Sequence, residues 1–420
     1  MKLLRLSIKE IRKKKFFSIL ILLVCVIAMQ TVLSAITNAT SAAYQQKIFE
    51  SNIGVDMEQV LHLDYQYTEE SPEFANVIRQ YLDYIKELPG VQAVGQFDAT
   101  GMYFSELKNM DEYRAINGEL LKGQKYENYP GISQLLSIDE EMLSFVKGGI
   151  TEYATTTSGL LPLYVSEIFK DILSEGQILT DERTGDQYEI VGYIPTGAKW
   201  VEEDDLIRFP LISLKGWFIA PFTEQSRNDI MTQLSSLHNT YILLSDSADI
   251  NFLKEQISTY PLQHGFEASA MLLSDEYKVY QSETATFTIR QMILAIFISI
   301  MAISSVVAVF TTNALLKKKQ YGIWIANGFT LSDIAAEIAI EIFIIIFCSG
   351  IFAWGMKWIE FARSTDLFKT VLLTAHIRYT LPICIVLTFI LTGISALIPI
   401  TKLLKYQPCE LIGGDTNGND

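Results

Sequence analysis

Cysteine is scarce in this chain, and none of its four cysteines falls between residues 39 and 288. Cys25, Cys348 and Cys384 lie in apolar runs, and Cys409 lies in the tail. A disulfide framework is therefore excluded for that stretch, which must be held by core burial alone, as its 250 residues allow. No glycine is followed by lysine, so the G-x-x-x-x-G-K-[ST] phosphate loop is absent, and with it that route to nucleotide hydrolysis. H-E-x-x-H and G-x-S-x-G are missing too. The four histidines, His62, His238, His264 and His376, are scattered without metal-ligand spacing. The chain reads as a non-enzyme with neither cofactor nor metal. It has no long Gly/Ser/Pro linker, low-complexity run or internal repeat.

What the chain has is apolar length. Apolar residues make up 49 % of it and mean hydropathy is +0.23, high for a soluble globular protein. Residues 16–38, 289–316, 333–356 and 380–401 are each long and apolar enough to cross a bilayer, which needs about 20 residues. A cleaved leader is the alternative for the first run. That run is longer than a leader core, however, and no small-x-small site follows its centre. Lys2, Arg5, Lys9, Arg12, Lys13, Lys14 and Lys15 place the segment 1–15 in the cytoplasm. Four spans then place 39–288 and the short loop 357–379 outside, and 317–332 and the tail 402–420 inside. Lys317, Lys318, Lys319, Lys402 and Lys405 agree with this orientation. Lys357, Arg363, Lys369 and Arg378 run against it and are outvoted by the N-terminal cluster.

Residues 39–288 carry 39 Asp and Glu against 16 Lys and Arg, a net of −23, while the rest of the chain is basic. That balance argues against nucleic acid as a partner. Acidity of this kind gives solubility, or else attracts cationic ligands. The run Glu202, Glu203, Asp204 and Asp205 reads as a solvated loop and is the sharpest candidate for such attraction. The region reads as mixed α+β. Ser71-Pro72 opens a helix that Pro89-Gly90 stops. "VQAVGQF" and "TGMYF" read as two strands, and "PLYVSEIFKDIL" as a strand then a helix. "GQILTDERTGDQYEIVGYI" reads as a hairpin about Thr184-Gly185. "GWFIAPF" and "TYILLS" are further strands, and a helix over 247–259 should end before Pro261. Residues 39–58 and 267–290 should extend the first two spans outward as a helical stalk.

The segment "LLKKKQYGIWIANGFTLSDIAAEI" returns the chain to the membrane after a stretch too apolar for a solvated linker. One helix should end near the lysines, a turn should fall at Asn327-Gly328, and Thr330 with Asp333 should cap the next helix. Tyr321, Ile323, Trp324 and Ile325 should form an apolar knob for a partner, with the lipid interface as the alternative seat. Glu337 and Glu341 share one face of the third span. A carboxylate there costs about 3 kcal/mol, so Glu337 is expected to reach toward the interface and Glu341 to face another helix or a polar groove.

A four-span chain with one large domain between spans one and two resembles the MacB-like, FtsX-like permease family of ABC transport systems. That family writes its second cytoplasmic loop as an acid, an apolar residue, Gly-Ile, then Arg-Ala-x-Gly-Ala-Ser or Thr. Gln320, Tyr321, Gly322, Ile323, Ile325, Ala326, Asn327, Gly328, Phe329 and Thr330 are similar. Gln320 stands where the acid would be and Ile325 where the arginine would be, so docking would lean on apolar contact and on Lys317, Lys318 and Lys319. Glu341 with Ser349-Gly350 resembles the family's third span. Pro399, Lys402, Lys405, Pro408 and Leu411 resemble its tail. The resemblance implies a non-catalytic permease that couples to an ATPase on a partner chain, present in two copies, through the segment 317–330. It also implies a second permease subunit, identical or related, and an extracellular adaptor or peptide ligand. An FtsX-like regulator of cell-wall hydrolases is the alternative, and a receptor with no ATPase is a third class.

Overall fold

The computed structural model describes residues 2–66, 72–201, 211–363 and 369–406. The acidic run Glu202–Asp205 lies outside the described residues, as do Pro408, Cys409 and Leu411. The chain divides into two units, Met1–Tyr44 with Glu283–Asp420, and Gln45–Ser282. Its helices are α1 (Lys2–Lys13), α2 (Lys15–Asn52), α3 (Pro72–Lys86), α4 (Asp111–Leu120), α5 (Glu224–Asn228) and α6 (Ile230–Leu237). They continue with α7 (Ile250–Gln263), α8 (Leu273–Leu316), α9 (Lys318–Ala326), α10 (Leu331–Arg363), α11 (Lys369–Ala375) and α12 (Leu381–Leu404).

Among the described residues, four helices are long and apolar enough to cross a membrane, over Lys15–Asn52, Leu273–Leu316, Leu331–Arg363 and Leu372–Leu404. This is a multi-pass membrane protein. The helices outrun the apolar stretches that announce them. Some of the polar groups buried among them are paired, as a low-dielectric setting favours. At a π-helical turn, His376–Thr380, His376 Nδ1 lies 3.3 Å from Thr37 Oγ1 and Nε2 lies 3.1 Å from the Trp354 carbonyl. The pair Ser349-Gly350 allows close helix contact. A Cβ on Gly350 would stand 3.3 Å from Thr388 Oγ1 and 3.4 Å from Cys384 Sγ.

The second unit is built on a nine-stranded sheet. Its strands are β1 (Val60–Gln66), β2 (Val91–Met102), β3 (Ser133–Ile138), β4 (Leu161–Ser166), β5 (Ile178–Thr180) and β6 (Gln187–Ile194). β9 (Trp217–Ala220), β10 (Thr240–Leu244) and β11 (Glu267–Leu272) complete it, while β7 (Lys199–Val201) and β8 (Leu211–Ser213) form a separate antiparallel pair. The order is β11-β1-β10-β2-β3-β9-β4-β6-β5. Pairing is antiparallel except for β3 with β9 and β4 with β6. The fold is thus mixed α+β.

Strand alternation sends side chains to two different covers. Leu61, Leu63, Val94, Ile242 and Leu244 pack with residues of α3, α6 and α7 such as Ile78, Tyr81, Leu237 and Leu253. At the far end of the sheet, Tyr113 of α4 packs with Phe169 and Phe218. Val60, Phe97, Leu136, Ile138, Ile219 and Tyr241 take the other direction. They pack with Phe49 and Ile53, at the end of α2, and with Leu273, Tyr277 and Tyr280, at the start of α8. The Phe49 and Tyr277 rings lie 5.3 Å apart, and Tyr277 Oη donates to Glu50 Oε1 at 3.0 Å. Both long helices therefore end inside the core of the sheet domain.

Several expectations need correcting. "VQAVGQF" and "TGMYF" are one strand, β2, with Phe104 beyond it in an isolated bridge to Asp181. The first half of β2 pairs with β10 and the second with β3, and this change of partner carries the strand through the polar middle. The helix after "PLYVS" is a single 3-10 turn, Glu167–Phe169. Residues 267–272 form strand β11 against β1, so α8 begins only at Leu273. Pro261 lies inside α7 rather than after it. A proline cannot donate to the carbonyl four residues back, and here Tyr81 Oη donates to that carbonyl, Ile257 O, at 2.7 Å instead. The hairpin about Gly185 is present, with β5 antiparallel to β6 and Gly185 at φ 78°.

Candidate partner interface between two spans

α8 gives way to α9 at Lys317, whose backbone leaves helical geometry at ψ 3°. α9 ends in a Schellman motif. Phe329 N donates to Trp324 O at 3.1 Å and Gly328 N to Ile325 O at 2.9 Å. The rings of Trp324 and Phe329 close over it with centroids 5.8 Å apart. Gly328 sits at φ 91° with open space where a Cβ would be, so glycine is required for the conformation rather than for room. Thr330 and Asp333 then form a reciprocal cap. Thr330 N donates to Asp333 Oδ2 at 2.9 Å and Asp333 N to Thr330 Oγ1 at 3.1 Å. The turn and the cap stand where the sequence places them.

The charged residues are arranged otherwise. Lys317 is only 7 % exposed, and its ammonium is the hub of a buried cluster. Nζ lies 3.1 Å from Glu10 Oε2, 3.9 Å from Glu341 Oε2 and 4.0 Å from Glu337 Oε1. Lys13 Nζ reaches Glu10 Oε1 at 2.7 Å. Glu337 is fully buried, and neither of its carboxyl oxygens has a hydrogen-bond partner among the described residues. It does not reach the interface, because α1 covers it: Ser7 Oγ donates to the Glu337 carbonyl at 3.3 Å. Burial alone would raise the Glu10 carboxyl, but Lys13 and Lys317 hold it below the usual range. Burial, then Lys317, pushes the Lys14 ammonium down. Burial, reinforced by Glu337, Glu341 and Glu10, pushes the Tyr321 phenol up.

The expected knob is only partly a knob. Tyr321 and Gly322 are buried against the cluster, and Trp324 and Ile325 are half-buried. Ile323 is the member that stands out, 61 % exposed. Lys319, Ile323 and Ala326 of α9 are all exposed, and their spacing of four and three residues puts them on one helical face. Lys318 is half-buried, with its ammonium 4.5 Å from the centre of the Tyr406 ring, and Gln320 is half-buried too. Gly328 and Thr330 are exposed beyond the helix. In α12, Pro399 is buried, while Lys402 and Lys405 are exposed. Of the three lysines, then, only Lys319 is fully presented, and Lys317 is withdrawn from any surface.

Sequence reasoning missed Glu10 and Ser7. The signal was available: Leu3, Leu6, Ser7, Glu10 and Ile11 recur at helical spacing within the basic segment, and Glu10 is its one acid. Among the described residues no group of His, Cys, Asp or Glu could hold a metal ion.

No family model and no curated protein matches the chain. Among solved structures it is similar to the extracellular domain of the noncanonic ABC-type transporter YknZ from Gram-positive bacteria. Identity there is 14 % and the TM-score 0.31, over 50 % of this chain and 99 % of that one. It is also similar to the periplasmic region of MacB from Actinobacillus actinomycetemcomitans. There identity is 8 % and the TM-score 0.32, over 55 % of this chain and 94 % of that one.

Proposed function

We propose that the chain is a non-catalytic permease subunit of an ABC-type transport system, its ATPase carried by a separate subunit in two copies. It would work beside a second permease subunit, with both termini in the cytoplasm and residues 39–288 outside. The observation that carries the reading is α9. A short helix, capped at its far end by Gly328 and followed by the Thr330–Asp333 box, joins two spans and offers the exposed face Lys319, Ile323 and Ala326. A solvated linker has no use for a large aliphatic side chain that stands out as Ile323 does, whereas a protein groove does. Behind that face, Tyr321 and Lys317 seat α9 on the span that follows.

The ends of α2 and α8 within the sheet domain supply the second half of the mechanism. Phe49, Ile53, Leu273 and Tyr277 are core residues there, so a shift of either long helix cannot leave the sheet packing unchanged. ATP-driven closure of the partner would move α9 and α8, and the sheet domain would expel or extract a substrate such as an antimicrobial peptide, alone or with an adaptor. The test is ATP turnover in a complex reconstituted with the co-purifying ATPase. Ile323→Asp should leave membrane insertion intact and abolish the permease's effect on turnover. Normal, ligand-responsive turnover in that variant would overturn the reading.

A further inference from the structure

We propose that the outward face of α1 binds the anionic headgroups of membrane phospholipids. α1 is two-sided. Leu3, Leu6, Ser7, Glu10, Ile11 and then Lys14 turn inward, and Ser7 and Glu10 fix the helix to Glu337 and Lys317. That seating leaves no freedom in which residues face out: Leu4, Arg5, Ile8, Lys9 and Arg12 are all exposed. Leu4 and Ile8, 46 % and 40 % exposed, stand one turn apart as an aliphatic edge. Arg5, Lys9 and Arg12 lie beside that edge, and among the described residues none of the three has an acidic partner.

The depth of this face follows from connectivity. α1 ends at Lys13 and the first membrane-length helix begins at Lys15, so only Lys14 separates them. One residue spans about 3.8 Å, which keeps the end of α1 at the entry of the span. Phe16, the next residue but one, is 75 % exposed. A basic helix with an aliphatic edge, held at that depth, has the composition of an interfacial element. Its apolar edge dips to the acyl boundary and its cations meet phosphate. Two arginines and a lysine on one helical face favour a phosphate oxygen over a zwitterionic headgroup, whose own ammonium competes. An acidic protein would satisfy the cations, but a lipid layer is already present at the span entry and also takes Leu4 and Ile8.

The test uses the full chain in lipid nanodiscs with spin-labelled phosphatidylglycerol or phosphatidylcholine as the probe. The wild-type chain should immobilise phosphatidylglycerol over phosphatidylcholine by roughly tenfold or more. The triple variant Arg5→Gln, Lys9→Gln, Arg12→Gln should bring the ratio near parity, with its unfolding temperature unchanged because these side chains are exposed. The conservative pair Arg5→Lys, Arg12→Lys should keep most of the preference. Lys402→Gln with Lys405→Gln should also keep it. A triple variant that retains the preference would overturn the proposal. So would equal loss in the Lys402 and Lys405 variant, which would assign the effect to bulk charge. A triple variant that keeps its lipid preference but loses a co-purifying protein would reassign the face to a protein contact and overturn it as well.

Discussion

Lys317 Nζ stands 3.1 Å from Glu10 Oε2, so the first helix of the chain is tied by charge to the break between α8 and α9. The same ammonium faces Glu337 and Glu341 on α10. One buried cation thus sets the positions of three helices around the proposed docking segment. An ion cluster of this kind holds registry more than it adds stability, because desolvation offsets much of the attraction.

Removing the hub alone should be costly. Lys317→Met leaves three carboxylates facing one another without their shared cation, and breaking a buried pair this way costs about 3–5 kcal/mol. Lys317→Met combined with Glu10→Gln and Glu341→Gln should recover much of the loss. Denaturant unfolding in detergent is the measurement. Full stability in the single variant would show that the cluster is not formed.

His62 gives a pH dependence to the sheet domain. Its Nδ1 lies 2.9 Å from Glu276 Oε1 and its Nε2 lies 2.8 Å from the His238 carbonyl. Both ring nitrogens face acceptors, an arrangement that suits the imidazolium, in which both donate. Burial would lower its pKa, but Glu276 and the His238 carbonyl hold it above the ordinary value. A raised folded-state pKa means the stabilisation is whole below the unfolded-state value, about 6.5, and is lost as pH rises through the folded one. The unfolding midpoint should therefore fall above about pH 6.5, and Glu276→Gln should flatten that dependence. An unchanged pH profile in Glu276→Gln would contradict it.

The seat of the long helices in the sheet domain should be energetically visible. Phe49 is 1 % exposed and packs on Tyr277. Phe49→Ala should cost about 3–5 kcal/mol, and Tyr277→Phe, which loses the hydrogen bond to Glu50, about 1 kcal/mol. Equal and negligible effects in thermal unfolding would remove α2 from the domain core.

Gly328 tests the end of α9. Gly328→Ala forces an L residue to φ 91° and should cost about 1–2 kcal/mol. Gly328→Asn should cost less, since asparagine tolerates the left-handed region best among the rest. If alanine and asparagine behave alike, the strain is not in φ.

What the sequence disclosed here was local. Asn327-Gly328, the Thr330–Asp333 cap and the Thr184-Gly185 hairpin each depend on residues within a few positions, so composition suffices to place them. Most of the misreadings concern distant partners. Glu337 was expected at the interface because nothing in its neighbourhood announces α1. Lys317 was read as a surface charge because its three carboxylates lie on other helices. Tyr321 was read as part of an exposed knob because a residue's burial is set by its cover, which the sequence does not print. Pro261 reads as a helix end, and the Tyr81 hydroxyl at Ile257 O explains why it is not. β2 was divided in two because its polar middle reads as a loop until both neighbouring strands are known.

The central claim is that the outward face of α9 docks on an ATPase. It is tested most directly by a photo-crosslinking residue placed in living cells at Ile323, 61 % exposed, and separately at Tyr321, 1 % exposed. Mass spectrometry of the adducts should identify, at Ile323 and not at Tyr321, a protein that carries a G-x-x-x-x-G-K-[ST] phosphate loop. Adducts to lipid alone at Ile323, or to a protein without that loop, would contradict the account.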